Sequence, residues 1–312
     1  MNIIFFGSDD FAALHLESLI QQKQCVKAVV TQPDRPKGRG MKMILSPTKQ
    51  LALTHDITCL QPDDIKEGSF LEQLKSMNAD LFIVIAYGKI LPSEVLSIPK
   101  IFAINVHPSL LPKYRGAAPI NWAVINGDRE TGVSIIRLNP RMDAGDILAQ
   151  SKMAISTEDT SITLRERLIQ SGKELLQTVL ENIGRDQLQP VVQKENEVTK
   201  APKLSKELGH INWSDDASTI HNLARGLLPW PGACTFYNEK MLKIFHTSVV
   251  NKGKMPEKPG TLLEIGKEGI VIACGRDALR VGEVHLADSK RITAHSFATG
   301  YQLITGFQFG SV

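Results

Sequence analysis

The first half of the chain alternates short uncharged runs with amphipathic segments, and this alternation restricts the fold more than any other feature of the sequence. The run at 81–86, for example, holds only aliphatic and aromatic residues, as strands covered on both faces do. The segments between such runs carry apolar residues at the three- and four-residue spacing of helices. Strands that alternate with helices are typical of βαβ units, so the sequence predicts an α/β class with a doubly wound, Rossmann-like parallel sheet.

The predicted elements form two groups of different character. In the first group, strands are predicted at 2–6, 26–31, 81–86, 102–106 and 133–138, and helices at 10–22, 47–55, 69–77 and 157–184. In the second, short runs at 242–244, 260–265, 269–274 and 278–285 are separated by Gly, Pro, Asn and Lys, a pattern typical of a small closed β-barrel of the OB type. We therefore predict a Rossmann-like domain at 1–188, a basic linker across open surface at 189–206 and a C-terminal barrel at 207–312.

Composition excludes several classes of protein. Hydrophobic residues make up 42% and charged residues 22% of the 312 residues, which is ordinary for a globular protein. No apolar run approaches the roughly 20 residues that a membrane-spanning helix needs, and the N-terminus lacks the basic segment of a signal peptide. The four cysteines show no CxxC spacing, so we expect a reducing, cytoplasmic location and neither a zinc site nor a disulfide framework.

The first junction between strand and helix argues against a nicotinamide enzyme. A dinucleotide site needs G-x-G-x-x-G at this point, so that backbone can approach a pyrophosphate. Of these glycines only Gly7 is present. We expect Gly7 to form the tight turn that follows the first strand.

The fourth predicted strand ends in the densest group of candidate functional residues. Asn105 and His107 are two residues apart, so in an extended strand both face the same side. Ligands of open α/β sheets bind beyond the carboxyl ends of the strands. The turn after the next strand supplies Asp143 within reach of the imidazole. Taken singly, a histidine at a strand end is often structural, and an acid in a turn is often a cap or a solvated group, as Asp146 could be.

A basic loop follows the strand predicted at 26–31. Residues 33–49 contain five basic residues against a single aspartate, a net charge of +4. Such a loop can meet the phosphates of a nucleic acid. Its alternative is a solvated loop without a partner.

Three segments resemble the folate-dependent formyltransferases: HPSLLP at 107–112, RGAAPI at 115–120 and MDAGD at 142–146. Four more are similar to the members of that family that formylate a methionyl-initiator tRNA: QPDRPKGRG at 32–40, VIAYGKILP at 84–92, KLS at 203–205 and PWP at 229–231. The similarity covers nearly the whole chain. At Arg141 the sequence departs from the family, which often has a small residue there.

The resemblance implies transfer of a formyl group from 10-formyltetrahydrofolate to an amine, and the chemistry of the three polar residues suits it. Asn105 and His107 would polarise the formyl carbonyl and stabilise the negative charge that develops on its oxygen. Asp143 would orient the imidazole while the attacking amine loses a proton. The spacing of the histidines offers no ligand set for a metal, and the reaction requires none.

The resemblance also implies the contacts to both substrates. Backbone groups of two segments would wall the folate pocket, namely Ile85, Ala86, Tyr87 and Gly88 and the turn Ser109, Leu110, Leu111 and Pro112. Basic residues would contact the tRNA, namely Arg35, Lys37, Arg39 and Lys42 in the loop and Lys203 and Lys206 in the linker. Neither a membrane nor an obligate protein partner is predicted.

Two alternative functions stay open at this point. The first is formyl transfer to a small amine such as an amino-sugar nucleotide, or hydrolysis of formylfolate, since such relatives share the Asn, His and Asp set. The second is an RNA-binding protein with an inactive α/β domain. The basic loop and the C-terminal half argue against a small amine, and the intact Asn105, His107 and Asp143 argue against an inactive domain.

Overall fold

A computed structural model describes residues 1–37, 42–254 and 256–310. Two compact units make up the structure. The first unit contains Met1–Gly116, Thr131–Met153 and Glu166–Lys200, and the second contains Ala117–Glu130, Ala154–Arg165 and Ala201–Val312. The domain limits expected at 188 and 206 stay a prediction.

Strands and helices are interspersed along the first part of the chain. The strands up to residue 154 are β1 (Asn2–Gly7), β2 (Cys25–Val30), β3 (Arg35–Lys37), β4 (Lys42–Ile44), β5 (Thr58–Leu60), β6 (Leu81–Ile85), β7 (Phe102–His107), β8 (Arg115–Gly116), β9 (Glu130–Arg137) and β10 (Ile147–Ala154). The helices over the same part of the chain and just beyond it are α1 (Asp10–Gln21), α2 (Pro47–Thr54), α3 (Gly68–Ser76), α4 (Ser93–Leu96), α5 (Pro119–Ile125) and α6 (Ser161–Gly184).

The remaining elements follow α6. They are β11 (Lys200–Ala201), α7 (Ala217–Gly226), β12 (Cys234–Tyr237), β13 (Lys240–Val250), β14 (Leu262–Gly266), β15 (Gly269–Ala273), β16 (Ala278–Leu286), β17 (Ile292–Thr293) and α8 (Ala294–Gly300). Two short 3-10 helices lie at Glu195–Glu197 and Glu207–Gly209. No helix among the residues that the structure describes is both long enough and apolar enough to cross a membrane.

A seven-stranded sheet in the order β10-β9-β7-β6-β1-β2-β5 organises the first unit. Strands β1, β2, β5, β6 and β7 are parallel to one another, and the predicted α/β class is confirmed. The prediction of a parallel sheet is wrong for β9, which pairs with β7 in the antiparallel direction. An uncharged run indicates burial on both faces but carries no information about strand direction, and antiparallel edge strands are common on such sheets.

Local sequence explains how the first elements begin and end. Asp9 caps α1 by accepting a hydrogen bond from the backbone of Ala12, and Ser46 caps α2 ahead of Pro47 at its first position. A Cβ on Gly7 would lie 2.6 Å from Ala12 Cβ and 2.9 Å from Ile85 O. Gly7 therefore allows close packing between β1, α1 and β6. It is the last residue of β1 and pairs with Ile85 of β6, so the prediction that it forms a turn after the strand is wrong.

The second unit contains an antiparallel sheet in the order β12-β13-β16-β15-β14, with β17 beside β16. Its core is formed by buried side chains from the strands, from α7 and α8 and from the segments that connect them, among them Trp213, Ile220, Phe297 and Phe309. Strands β12 and β14 stand at opposite ends of this order and do not pair with each other within the described ranges. The predicted closed barrel is thus observed only as an antiparallel sheet.

Candidate active site

Strand β7 brings Asn105 and His107 to the carboxyl end of the parallel strands. Asn105 pairs with Val84 of β6 on one side and with Ile136 of β9 on the other, so its position is fixed by two ladders. His107 is 4% exposed, whereas Asn105 is partly exposed. The two side chains therefore lie at the edge where open α/β sheets bind ligands.

Asp143 lies in the loop between β9 and β10 and folds back to meet both residues. The neck of this loop is closed by a hydrogen bond from Arg137 N to Asp146 O. Asp143 Oδ1 lies 3.7 Å from His107 Nδ1 and 3.5 Å from Asn105 Nδ2. The three residues expected from the sequence to act together are brought together by the structure.

Backbone geometry keeps this loop in its shape. Asp143 has a φ of +50°, in the left-handed region that few residues other than glycine adopt. Its Oδ2 accepts a hydrogen bond of 2.9 Å from Gly116 N. A Cβ on Gly145 would lie 1.6 Å from Arg137 O, so this position requires glycine. The carboxylate is consequently aimed by the turn itself.

Arg141 is accommodated in this loop without strain. It is absent from the residues with positive φ, and its backbone N donates to Asn139 Oδ1 at 2.9 Å. Its side chain is exposed, with a guanidinium nitrogen 3.6 Å from Glu195 Oε1. A glycine or other small residue is not required at this position.

The ring of His107 is oriented by a backbone carbonyl. Its Nε2 lies 2.9 Å from Tyr114 O, and because a carbonyl only accepts, Nε2 is the protonated nitrogen. Nδ1 is then the nitrogen that faces Asp143.

The turn at 109–112 presents backbone, because its serine side chain is buried. Ser109 Oγ donates to Lys113 O at 2.7 Å, inside the turn. Ser134 Oγ, on β9, donates to Ser109 O at 2.6 Å and accepts from Leu111 N at 3.0 Å. Leu110 and Pro112 are partly exposed, and Leu111 is buried. A ligand at this turn would meet its backbone and the side chains of Leu110 and Pro112.

The segment after β6 alternates between core and surface. Ile85 is fully buried, and Tyr87 is 2% exposed and packs against Phe6. Ala86 and Gly88 are exposed, with φ values of +46° and +85°. Of these four residues, Ala86 and Gly88 are therefore the ones exposed to a ligand, Ala86 through its methyl group and backbone and Gly88 through its backbone.

We expect Tyr87→Phe to change the pH dependence of stability. Burial raises the pKa of Tyr87 from 10.0 to about 12, so the unfolded chain loses the phenol proton first. The free energy of unfolding then falls as the pH rises from about 10 to about 12, and the variant loses this part of the fall. Denaturant unfolding at about pH 9 and about pH 11 measures the free energy of unfolding of wild type and variant. If this free energy fell by the same amount in both proteins, the raised pKa of Tyr87 would be contradicted.

The base of the basic loop is held by an ion pair. Lys49 Nζ lies 2.5 Å from Asp34 Oδ2 and 2.5 Å from Gln61 Oε1. Lys49 and Gln61 lower the pKa of Asp34 through hydrogen bonds to its carboxylate. The charge of Lys49 is thus paired within the protein and adds little to the basic surface that the sequence suggested.

The other basic residues expected to contact a nucleic acid fall into three groups. Arg35 and Lys37 belong to β3 and Lys42 to β4, and these two strands pair in the antiparallel direction. Arg39 lies outside the described residues. Lys203 and Lys206 are exposed in the second unit.

Among residues 1–37, 42–254 and 256–310, no three His, Cys, Asp or Glu side chains are grouped so as to hold a metal ion.

The sequence did not indicate Ser134, Tyr114 or Gln193 as parts of this site. Gln193 lies in the predicted linker, where open surface was expected, yet it is 6% exposed. Its Nε2 donates to Asp143 O and to Gly145 O at 2.8 and 2.7 Å. No local pattern marks these residues, because Tyr114 acts through its own carbonyl, and Ser134 and Gln193 act on carbonyls of distant segments.

Comparison with known proteins finds matches to two successive parts of the chain. A family model described as formyl transferase matches residues 1–180, and one described as formyl transferase, C-terminal domain, matches residues 203–302. A methionyl-tRNA formyltransferase from Caldanaerobacter subterraneus subsp. tengcongensis is 44% identical over 308 residues, which are 98% of this chain and 99% of the relative.

Two solved structures share the fold at low sequence identity. HypX from Aquifex aeolicus, in complex with tetrahydrofolic acid, aligns with a TM-score of 0.65 and 20% identity over 96% of this chain and 47% of its own, so this chain spans about half of its length. An N-formyltransferase from Helicobacter canadensis, in complex with folinic acid and dTDP-3-aminofucose, aligns with a TM-score of 0.66 and 19% identity over 89% of this chain and 98% of its own.

Proposed function

The chain belongs to the formyl transferase family, and we propose that it transfers the formyl group of 10-formyltetrahydrofolate to the free amino group of methionyl-initiator tRNA. The product is N-formylmethionyl-tRNA, which serves translation initiation. One observation carries the proposal: Asn105, His107 and Asp143 meet at the carboxyl edge of the sheet in a chain 44% identical to a methionyl-tRNA formyltransferase over nearly its full length.

Asn105 is the donor to the formyl oxygen. Its Nδ2 lies 3.5 Å from Asp143 Oδ1, at the outer limit of a hydrogen bond, and it carries two hydrogens. One of them can follow the negative charge that develops on the formyl oxygen as the amine attacks. A donor of this kind typically lowers the barrier by about 2.7–4 kcal/mol.

His107 and Asp143 handle the proton that the attacking amine releases. The amine must lose it as the new C–N bond forms. The bond between the formyl carbon and N10 of the folate then breaks, and N10 takes up a proton as tetrahydrofolate leaves. Asp143 Oδ1 lies beside both the imidazole and the amide. Since Nε2 is engaged by Tyr114 O, the proton is accommodated on the Nδ1 side, between imidazole and carboxylate. Geometry of this sort contributes about 10²–10⁴-fold to a rate.

The formylfolate donor is proposed to bind backbone surfaces of this unit. Ser109 and Tyr87 keep their side chains inside the protein, so the turn at 109–112 and the segment at 85–88 offer peptide groups to a pterin-like ring. Peptide N–H and C=O groups in fixed positions suit a flat heterocycle with several donors and acceptors. The donor supplies the one-carbon group, and the protein supplies position and electrostatics.

The second unit is proposed to contact the tRNA as an OB-like barrel. Two single bridges support closure: Phe236 of β12 pairs with Gly310, and Thr261, just before β14, pairs with Gln308. The C-terminal segment thereby connects the two ends of the sheet order, as a closing strand does. Lys203 and Lys206, together with Arg35, Lys37, Arg39 and Lys42, are the proposed phosphate contacts.

Arg39→Ala is expected to weaken the use of tRNA while the KM for formylfolate stays unchanged. Loss of one phosphate contact should also reduce the slope of log KM for tRNA against log salt concentration by about one. Steady-state kinetics over a series of salt concentrations measure both quantities. Lys66→Ala, at an exposed lysine of the first unit, is the matched control. Equal slopes for wild type and Arg39→Ala would remove this residue from the tRNA contact.

A panel of acceptors tests the proposed function. The protein is incubated with 10-formyltetrahydrofolate and, separately, with methionyl-initiator tRNA, the same tRNA uncharged, and an amino-sugar nucleotide. We expect formylation of the charged tRNA alone. Formylation of the amino sugar would favour the small-amine alternative, and binding of tRNA without turnover would favour an inactive domain.

We also propose a cytoplasmic location, because four free cysteines suit a reducing compartment.

A further inference from the structure

Gln193 is buried in a segment where the apolar side chains are exposed. Val191 is 60% exposed and Val192 is 75% exposed, whereas Gln193 is 6% exposed. This order is the reverse of what hydrophobicity alone would give, since valine is usually buried and glutamine is usually exposed. Because the amide is buried while the two neighbouring valines are exposed, we expect its polar atoms to make hydrogen bonds inside the protein.

Every polar group of the Gln193 side chain is engaged. Both hydrogens of Nε2 are used, one on Asp143 O at 2.8 Å and one on Gly145 O at 2.7 Å. Oε1 accepts a hydrogen bond of 3.0 Å from Arg115 Nε. The amide therefore spans the two carbonyls on either side of Ala144 and fixes the turn that carries Asp143.

The Gln193 side chain also contacts the segment that donates a hydrogen bond to the Asp143 carboxylate. Arg115 precedes Gly116, and Gly116 N donates to Asp143 Oδ2 at 2.9 Å. Arg115 is in turn paired with Glu195, at 3.2 Å between Nη1 and Oε2. Gln193 thus connects the segment that donates to the carboxylate with the turn that bears it.

We propose that Gln193 is a positioning residue for Asp143 in the formyl transfer reaction, a role that rests on the proposed function. Asp143 has a left-handed backbone, which is disfavoured for a residue with a side chain. Two hydrogen bonds from one amide, at residues 143 and 145, hold that conformation and keep Oδ1 near Asn105 and His107. Without them the turn can relax and carry the carboxylate away from the reacting groups.

Gln193→Met tests the role because it keeps the length of the side chain and removes all three hydrogen bonds. We expect kcat to fall by about 10²-fold, the effect of a displacement near 1 Å at a reacting group, with unchanged KM for formylfolate and for charged tRNA. Gln193→Glu should behave alike, because a carboxylate has no hydrogens to donate to the two carbonyls. Gln187→Met, at an exposed glutamine six residues earlier, is the control and should match wild type.

A double-mutant cycle separates positioning from general support of the fold. If Gln193 acts through Asp143, Gln193→Met in an Asp143→Asn background should change single-turnover rates by less than about 2-fold. The same loss in both backgrounds, or a raised KM with unchanged kcat, would overturn the proposal. So would a loss of activity fully explained by a smaller folded fraction in both Gln193 variants. Failure of wild type to formylate charged tRNA would instead refute the proposed function, since the Gln193 test compares variants with wild type.

Discussion

Replacement of Asp143 by asparagine is expected to lower kcat for formyl transfer by about 10²–10⁴-fold, the usual range for a group that handles a proton in the transition state. The amide has the size of the carboxylate and can still accept from Gly116 N, so the loop should keep its shape. What the variant loses is the negative charge beside His107 Nδ1 and the site that receives a proton from the amine. The KM for charged tRNA should change little.

Asp146→Asn is the matched control for this experiment. Asp146 lies in the same loop three residues later, and its contribution to the loop neck is its backbone carbonyl, which accepts from Arg137 N. We expect wild-type kcat for this variant. If Asp143→Asn retained full turnover, or if both variants lost it equally, Asp143 would have no specific part in the proton transfer.

Replacement of Asn105 by alanine is expected to lower kcat by about 10²–10³-fold, equivalent to about 2.7–4 kcal/mol of transition-state stabilisation. The backbone of Asn105 belongs to two strand ladders, and these hydrogen bonds survive the change of side chain. The variant therefore removes the amide N–H₂ donor from an intact strand. Asn105→Asp should be at least as slow, because a second carboxylate would face Asp143 and could offer no donor.

Single-turnover rates at saturating substrates measure the Asn105 effect without a contribution from product release. Far-ultraviolet circular dichroism and thermal unfolding establish that the variants fold. Asn251→Ala, at an exposed asparagine of the second unit, serves as the control and should keep the wild-type rate. A rate for Asn105→Ala within about 2-fold of wild type would assign stabilisation of the formyl oxygen to another group.

The position of Asn105 and His107 followed from rules that act locally. The period of two along a strand placed both side chains on one face, and the preference of ligands for the carboxyl ends of strands placed that face in the crevice. Both rules depend only on the strand assignment, which the structure confirms for β7. The catalytic roles of these two residues stay a prediction.

The supports of the site were not predictable in the same way. Tyr114 contributes a carbonyl to His107, and Gln193 reaches carbonyls fifty and forty-eight residues away along the chain. Every residue has a backbone carbonyl, so the pattern of side chains in the sequence does not indicate which carbonyl makes such a contact. The direction of β9 was missed for a related reason, since hydrophobic pattern reports burial and not strand direction.

The orientation of side chains in the proposed folate pocket could not be predicted from the sequence either. The resemblance selected the segments at 85–88 and 109–112, but it could not tell that Tyr87 and Ser109 point into the core. Left-handed backbone at Ala86 and the hydrogen bond from Ser134 to Ser109 O determine those orientations. Both features arise from tertiary contacts that the sequence does not display.

The most direct measurement of the central claim follows the formyl carbon itself. Formyltetrahydrofolate with a radioactive formyl group is mixed with excess protein and methionyl-initiator tRNA, and label is counted in the tRNA fraction before and after mild hydrolysis of the aminoacyl ester. We predict that label enters the charged tRNA in a single turnover, leaves it as formylmethionine on hydrolysis, and enters at a rate about 10²–10⁴-fold lower with Asp143→Asn. Release of the label as free formate, or its absence from the charged tRNA with wild-type protein, would contradict the account.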